Sequence, residues 1–384
     1  LLNGKDSLDE ADSSGSLACL ATRFGLEFNE DEDSREESYK QVERHMRIGV
    51  ATTTGFTKMI TYSASEPLLA EAAFQLSSDS YPSPVKLLAN HANLYCVDRG
   101  RRGELVAALI VMQARDASLA RNQFHRRWVF VTDFIEALLP PDASGPFLDS
   151  PPTRWRQGEQ AMSLRERFAN CRLWFNHVIK VEDSGVIRPE FLWKYITRGA
   201  MIICKENQEG IDLILPVSVS LDEKLSRHSV TAITIQVKNA VTYGLQYNDK
   251  LFDAMDPCQL GIQSDHPQPI IRMVFALASS VNGISYPDRR VQTQYSDPFT
   301  SYDVWCAGLS TETFQQIGQD EDSYRKLLDR SQRSHDAFAV SDLYNSLTEE
   351  TKTIVGMIRR SMAPLVKSEG HDEIYHRHET PDAE

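Results

Sequence analysis

The sequence has no uninterrupted apolar run approaching the ~20 residues of a membrane span, so no transmembrane helix is expected. It has no C-x-x-C pair. Its six cysteines, Cys19, Cys96, Cys171, Cys204, Cys258 and Cys306, are scattered, several among apolar neighbours. That pattern speaks against thiolate-bound zinc and for buried free thiols in a reducing, intracellular compartment, nucleus or cytoplasm. Positive charge is short: 41 Lys and Arg against 54 Asp and Glu leave −13, the wrong sign for coating nucleic acid by bulk electrostatics. A phosphate loop is missing too. The stretch GVATTTGFTK from Gly49 to Lys58 invites that reading, but Gly55 is followed by Phe56, so the G-x-x-x-x-G-K-[ST] spacing fails. There is no internal repeat, and nothing resembles a signal peptide. The chain opens Leu1–Leu2 rather than with Met, which reads as a fragment of a longer protein.

The remaining composition, 41% hydrophobic and 25% charged, is enough for a sizeable core. A length of 384 residues allows two or three domains, or one with large insertions. Charge is uneven. Acid gathers at Glu30–Glu37 and in both tails, while Arg99, Arg101, Arg102, Arg115, Arg121, Arg126 and Arg127 face only Glu104 and Asp116. Such a stretch is either a basic face for a phosphate backbone or a solvated helix surface.

The residues from Gly210 to Asn239 organise the chain. Ile211–Val217 and Ala232–Val237 are two β-branched runs joined by the polar Ser218–Thr231, the pattern of neighbouring strands with a long connection. Asp212 interrupts the start of the first run. Gln236 and Lys238 end the second, two apart, and so leave one face of the sheet. An acid, an amide oxygen and an ammonium converging at a strand-pair edge can hold a hydrated divalent cation and a phosphate. Each residue also has a structural reading: an acid after Gly210 can cap a turn, and a strand-end lysine can protect an edge.

Around this centre, helices are expected over Glu66–Leu76, Arg99–Asp116, Gln160–Val178, Arg188–Arg198 and Asp249–Met255. The helix at Gln160–Val178 rests on Leu164, Phe168, Cys171, Phe175 and Val178 recurring every three or four residues. The helix after Arg99 is apolar nearly all round and should be buried, with Glu104 in its first turn. A short apolar element runs from Phe130 to Leu139, and residues 140–157 read as loop. Strands are expected at Ala200–Cys204, Ile270–Ala278 and Asp303–Leu309. Arg198, Asn207, Gln208 and Asn239 flank the strand ends and could touch phosphate or bases. Trp155, Trp174, Trp193 and Tyr195 read as core. Residues from Asp320 to Met362 are charged and helical, with a break at Ser334–Val340. A polar tail carries His371, His376 and His378.

The stretches GIDLIL and IQVKN resemble the PD-(D/E)xK nuclease superfamily of the restriction-endonuclease-like fold. The Gln-x-Lys form is similar to the Mrr-type restriction enzymes. Domains of this sort also occur in uncharacterised fungal families, Crinkler-type effectors among them, to which the chain bears a further resemblance. What the resemblance implies is an α/β fold, a mixed sheet flanked by helices with large helical insertions, since the order helix, strand, strand, strand, helix, strand matches the superfamily core. The expected organisation is an acidic, partly disordered N-terminal segment over 1–45, a nuclease-like α/β domain over 46–318 with a helical insertion at about 118–198, C-terminal helices over 319–362 and a disordered tail over 363–384. The resemblance also implies Mg²⁺ or Mn²⁺ as cofactor and nucleic acid, DNA before RNA, as partner. Arg-Gly-Glu ahead of an apolar helix looks like the superfamily's first-helix acid, which makes Glu104 a metal ligand beside Asp212, Gln236 and the carbonyl of Val237. Glu166 or Glu190 would replace Glu104 if the insertion is misread. Lys238 would orient or deprotonate the attacking water. The expected function is metal-dependent phosphodiester cleavage; the alternative is a degenerate module of the same fold that binds nucleic acid or a protein partner.

Overall fold

The computed structural model describes residues 13–329, apart from 30, 79–82, 96–98, 122–126, 157, 207, 221–223, 264–266 and 288–297. The expected helices beyond Asp329, the tail histidines, Cys96, Arg126 and Asn207 lie outside the described residues.

The chain builds a curled mixed sheet of nine strands flanked by helices, an α/β architecture. Its centre is made by β6 (Ala200–Ile203), β7 (Leu213–Ser218), β8 (Val230–Lys238) and β9 (Ile270–Ala276). β7 runs antiparallel to both β6 and β8, whereas β9 is parallel to β8. β11 (Ser301–Ala307) continues in parallel beyond β9, and β10 (Gly283–Ser285) closes that edge antiparallel to β11. On its other side β7 forks. Its first residues pair with β6, which in turn pairs with β5 (His177–Lys180). Its last residues pair with β4 (Arg172–Leu173), which carries β3 (Val129–Phe130). A separate hairpin, β1 (Ile48–Thr52) and β2 (Met59–Tyr62), is what the Gly49–Lys58 stretch becomes.

Strands β7, β8 and β9 read as nearly continuous apolar runs because both faces are covered. Along β8 the side chains divide by alternation: Ile233 and Ile235 join one core, Val230 and Ala232 the other. The first core contains α5 (Arg99–Arg121), whose Val106–Met112 segment is at most 1% exposed. A helix apolar all round must be enclosed, and α6 (Val131–Leu138), α11 (Glu321–Asp329) and β8 enclose it. The second core lies under α9 (Pro189–Arg198), which starts on a proline and ends on Gly199 in the left-handed region at φ 63°. A tie in this layer joins the short helix α10 (Asp249–Ala254) to the sheet. Arg272 of β9 is 0% exposed, holds both carboxylate oxygens of Asp303 on β11 at 2.7 and 2.5 Å, and donates to the carbonyl of Phe252 at 2.6 Å.

Several expectations need correction. The helix over Gln160–Val178 is only Leu164–Arg167 (α8), followed by β4 and β5. A capping box between Ser163 and Glu166 starts it. From Cys171 onward the buried residues Cys171, Leu173 and Phe175 also alternate with period two, and the sheet wins them. The supposed insertion at 118–198 therefore gives the sheet three strands rather than helices alone. Residues 140–157 contain α7 (Pro141–Leu148), begun by a proline at its first position, where no N–H is needed. The segment before residue 46 is not only an acidic leader: α1 (Ser13–Phe24) puts Leu17, Leu20, Ala21 and Phe24 into the main core against α3 (Pro67–Ser78), and the acidic run opens α2 (Glu32–Arg44). The arginine-rich stretch is not one open basic face. Arg115 is 1% exposed, bonded to Asp116 at 2.9 Å, 3.7 Å from Glu71 and packed over the ring of Phe74.

Candidate functional site

The candidate site lies where β7 begins and β8 ends. Gly210 makes the entry: its φ is +87°, and a side chain there would stand 2.9 Å from the carbonyl carbon of Ala254, at the end of α10. Only glycine fits this turn and this approach. Next, the Asp212 N–H donates to the carbonyl of Ile235 at 2.9 Å, and the Asp212 carbonyl accepts from the Cys204 N–H at 2.8 Å. The Asp212 backbone is thus clamped between β8 and the end of β6, and its carboxylate Oδ2 accepts the N–H of Val237 at 2.6 Å. Since Ile235 presents its carbonyl to Asp212, alternation turns the Val237 carbonyl to that same side of β8.

Burial is the largest influence on Asp212 and raises its carboxyl pKa; the Val237 N–H and the charge of Lys238 pull the other way without cancelling it. Lys238 is therefore near enough to act on Asp212. Gln236, two residues earlier, shares its face and is 6% exposed, and its buried Oε1 has no hydrogen-bond partner among the described residues. The side-chain oxygens of Gln208, in the β6–β7 connection, and of Asn239, just after β8, are in the same condition. Leaving a buried acceptor unsatisfied costs about 1–3 kcal/mol, and all three lie at one end of the sheet.

Glu104 comes from the opposite layer. α5 begins at Arg99, earlier than expected, so Glu104 lies beyond the first turn and the helix dipole does not account for it. The preceding Gly103 is packed against Asn239; a Cβ there would meet its Cγ and Oδ1 at 2.6 Å. The buried Cys204 thiol is pushed well up, first by burial, then by the negative charges of Asp212 and Glu104. Both carboxylates are thus within electrostatic reach of one thiol. The alternatives to Glu104 are elsewhere: Glu166 is spent in its capping box, accepting from the Ser163 N–H at 2.9 Å, and Glu190 pairs with Arg227 at 3.9 Å, in the connection at the far end of β7.

Arg198 is also misplaced as a phosphate contact. It sits at the start of β6, whereas Cys204 follows its end, and it donates to Ser65 O and Oγ at 2.7 and 3.1 Å. Of the aromatics expected in the core, Tyr195 is 0% exposed, whereas Trp174 and Trp193 are half-buried. In the sequence Gly103 stood out only as the middle of Arg-Gly-Glu and Cys204 only as a strand end, neither with a role at the site. The glycine directly before Glu104 inside an apolar helix was the available signal, since an interior glycine implies a close approach.

Among the described residues, no group of three or more His, Cys, Asp and Glu side chains is gathered so as to hold a metal ion. A cation here would have to be met by Asp212 and Glu104 together with amide and backbone oxygens. Hard divalent cations accept such oxygens, and the unpartnered oxygen of Gln236 fits that use.

The fold and this corner define a mixed α/β protein in which a buried amide, Gln236, stands with the half-buried Asp212 and Lys238 at the junction of two antiparallel strands. The chain belongs to the family described as a domain of unknown function (DUF8736), whose model matches residues 6–258. That span includes Glu104, Asp212, Gln236 and Lys238 and stops before β9. No curated protein and no solved structure matches the chain. Among the described residues no helix is long and apolar enough to cross a membrane.

Proposed function

We propose that the protein cleaves phosphodiester bonds in nucleic acid, DNA before RNA, with Mg²⁺ or Mn²⁺, through a PD-(D/E)xK-like site of the Gln-x-Lys form. The observation that carries this is the buried Gln236 oxygen, without a partner among the described residues, on the strand that brings the Lys238 charge within electrostatic reach of the Asp212 carboxylate. The run β6, β7, β8, α10, β9 supports the same reading, being the strand, strand, strand, helix, strand order of that superfamily's core; the helix directly ahead of β6 is α9, and α5 stands further upstream.

A bound divalent cation supplies charge neutralisation at phosphate and a water of lowered pKa. Asp212 would be its main anionic ligand, since the Val237 N–H fixes Oδ2 and with it the carboxylate's orientation. Gln236 and the Val237 carbonyl would give neutral oxygens, and Glu104 would bind from the α5 side. Lys238 would orient the attacking water and offset charge building on the phosphate. Two carboxylates and one ammonium leave the group at −1. Cation affinity would therefore be modest and aided by the substrate's own phosphate.

Plasmid nicking in Mn²⁺ tests the reading. Wild type should cut, and Lys238→Ala should lose about 10²-fold or more in rate while melting normally, because a half-exposed strand-end lysine adds little to the core. Gln236→Glu restores a negative charge and should raise Mn²⁺ affinity with cutting retained. Wild type that neither binds Mn²⁺ nor cuts, beside a silent Gln236→Glu, would favour the alternative of a binding module for nucleic acid or protein.

A further inference from the structure

Glu104 reaches the site from the layer of α5, whereas alternation along β8 sends Gln236 and Lys238 to the face covered by α9 and α10. Something must join the two layers if they serve one ion. Asn239 stands at that junction. It follows Lys238 directly, and its side chain fills the space a Cβ on Gly103 would occupy, one residue from Glu104. Among the described residues its buried Oδ1 has no hydrogen-bond partner, nor has the buried Oε1 of Gln236, itself 6% exposed. Packing explains where the Asn239 amide lies. It does not explain why a polar group is kept there with its acceptor unused, when an apolar side chain of similar shape would avoid the desolvation cost.

We propose that Asn239 is a further oxygen ligand of the divalent cation, and that Gly103 is glycine so that α5 can dock closely enough to bring Asn239 and Glu104 to the same ion. This rests on the metal-site reading above. Asn239 would add a donor without charge, so the site gains coordination while staying at −1. Gly103 would act through Asn239, as a positioning residue.

The test is calorimetric titration of the full chain with MnCl₂ in the absence of nucleic acid. Asn239→Ala should weaken Mn²⁺ binding about tenfold, and Asn239→Asp should strengthen it about tenfold, because ligand charge sets affinity in oxygen-donor sites over several decades. Gly103→Ala should weaken binding as Asn239→Ala does. The double variant should be no weaker than Asn239→Ala alone, since both changes remove one donor and the truncated side chain leaves room for the new methyl. Thermal melting of each apo variant keeps a folding defect separate: should Gly103→Ala fail to fold, the Asn239→Ala and Asn239→Asp pair still decides. Wild type that binds no Mn²⁺ overturns both the metal-site reading and this inference. Wild type that binds while both Asn239 variants match it overturns the inference alone. So does an Asn239→Asp that binds Mn²⁺ more weakly, since an added acid would then be facing something other than a cation.

Discussion

Replacing Asp212 by asparagine should make the metal-free protein more stable while destroying its response to metal. The carboxyl is raised above its ordinary 3.8, burial outweighing the Val237 N–H and Lys238. A raised acid in the folded state means that the native protein holds that proton more tightly than the unfolded chain. Stability therefore falls as pH climbs from 3.8 through the raised value, and at neutral pH the ionised carboxylate is a net cost. A tenfold difference in proton affinity between the two states is worth about 1.4 kcal/mol. Asparagine keeps an oxygen for the Val237 N–H and carries no charge, so the cost disappears and the hydrogen bond stays. We expect a higher Tm than wild type by scanning calorimetry in EDTA at neutral pH. Mn²⁺ at about a hundred times its Kd should stabilise wild type by about 2.7 kcal/mol, and Asp212→Asn should show no such shift. An apo Asp212→Asn that melts below wild type would refute the burial argument. One that keeps the Mn²⁺ shift would refute the ligand assignment.

Three further outcomes follow from the structure. His177 is 0% exposed, bonded through Nδ1 to Asn176 and through Nε2 to Ser65; burial, then the charges of Arg198 and Arg23, push its pKa down to about 3. The unfolded chain binds this proton first, so stability should be lost as pH falls from 6.5 toward 3, and urea titrations of His177→Gln should show a flatter slope across that window. Asp303→Asn strips the buried Arg272 of its counter-charge and should cost about 3–5 kcal/mol, read as a lower urea midpoint; a cost under about 1 kcal/mol would show the pair to be dispensable. Gly210→Ala forces a Cβ against Ala254 at a positive φ and should cost about 1–2 kcal/mol from the backbone alone. It should also weaken Mn²⁺ binding by moving Asp212, and an unchanged affinity would separate the turn from the site.

The parts of the fold legible in the sequence were those where one local rule and one global demand agree. β7, β8 and β9 are short, β-branched and covered on both faces, so their runs stand out. α9 carries proline at its start and glycine at its end, and α5 is apolar all round because it is enclosed. Legibility failed where two periods fitted the same letters. Leu164, Phe168, Cys171 and Phe175 satisfy a helix, while Cys171, Leu173 and Phe175 satisfy a strand, and only the capping box and the neighbouring β7 decide. α1 was hidden by its serine-rich opening, although Leu17, Leu20, Ala21 and Phe24 form a helical stripe. At the site, the row Asp212, Gln236, Lys238 followed from strand pairing and needed no long-range knowledge. That Glu104 lies on the far side of the sheet, and that Arg115 is buried with Asp116 and Glu71 rather than open to phosphate, depends on contacts between distant segments. A string of residues does not encode these one position at a time.

The borders of the sheet have a consequence for how the protein behaves at high concentration. Among the described residues, the strands of the nine-stranded sheet that pair on one side only are β3 with two residues, β10 with three and β5 with four. Exposed backbone along a long border strand is a template on which another molecule can add a strand and begin a fibre. Here the long, β-branched strands that would serve best as templates, β8 and β9, have a neighbour on both sides, while β11 is covered on its outer side by β10 over Trp305–Ala307 and by Arg154 at Ser301. The short β5 is shielded in addition by α1. The central stretches most prone to amyloid-like stacking, β8 and β9, are thus shut inside the sheet, and among the described residues its border strands are stubs of two to four residues.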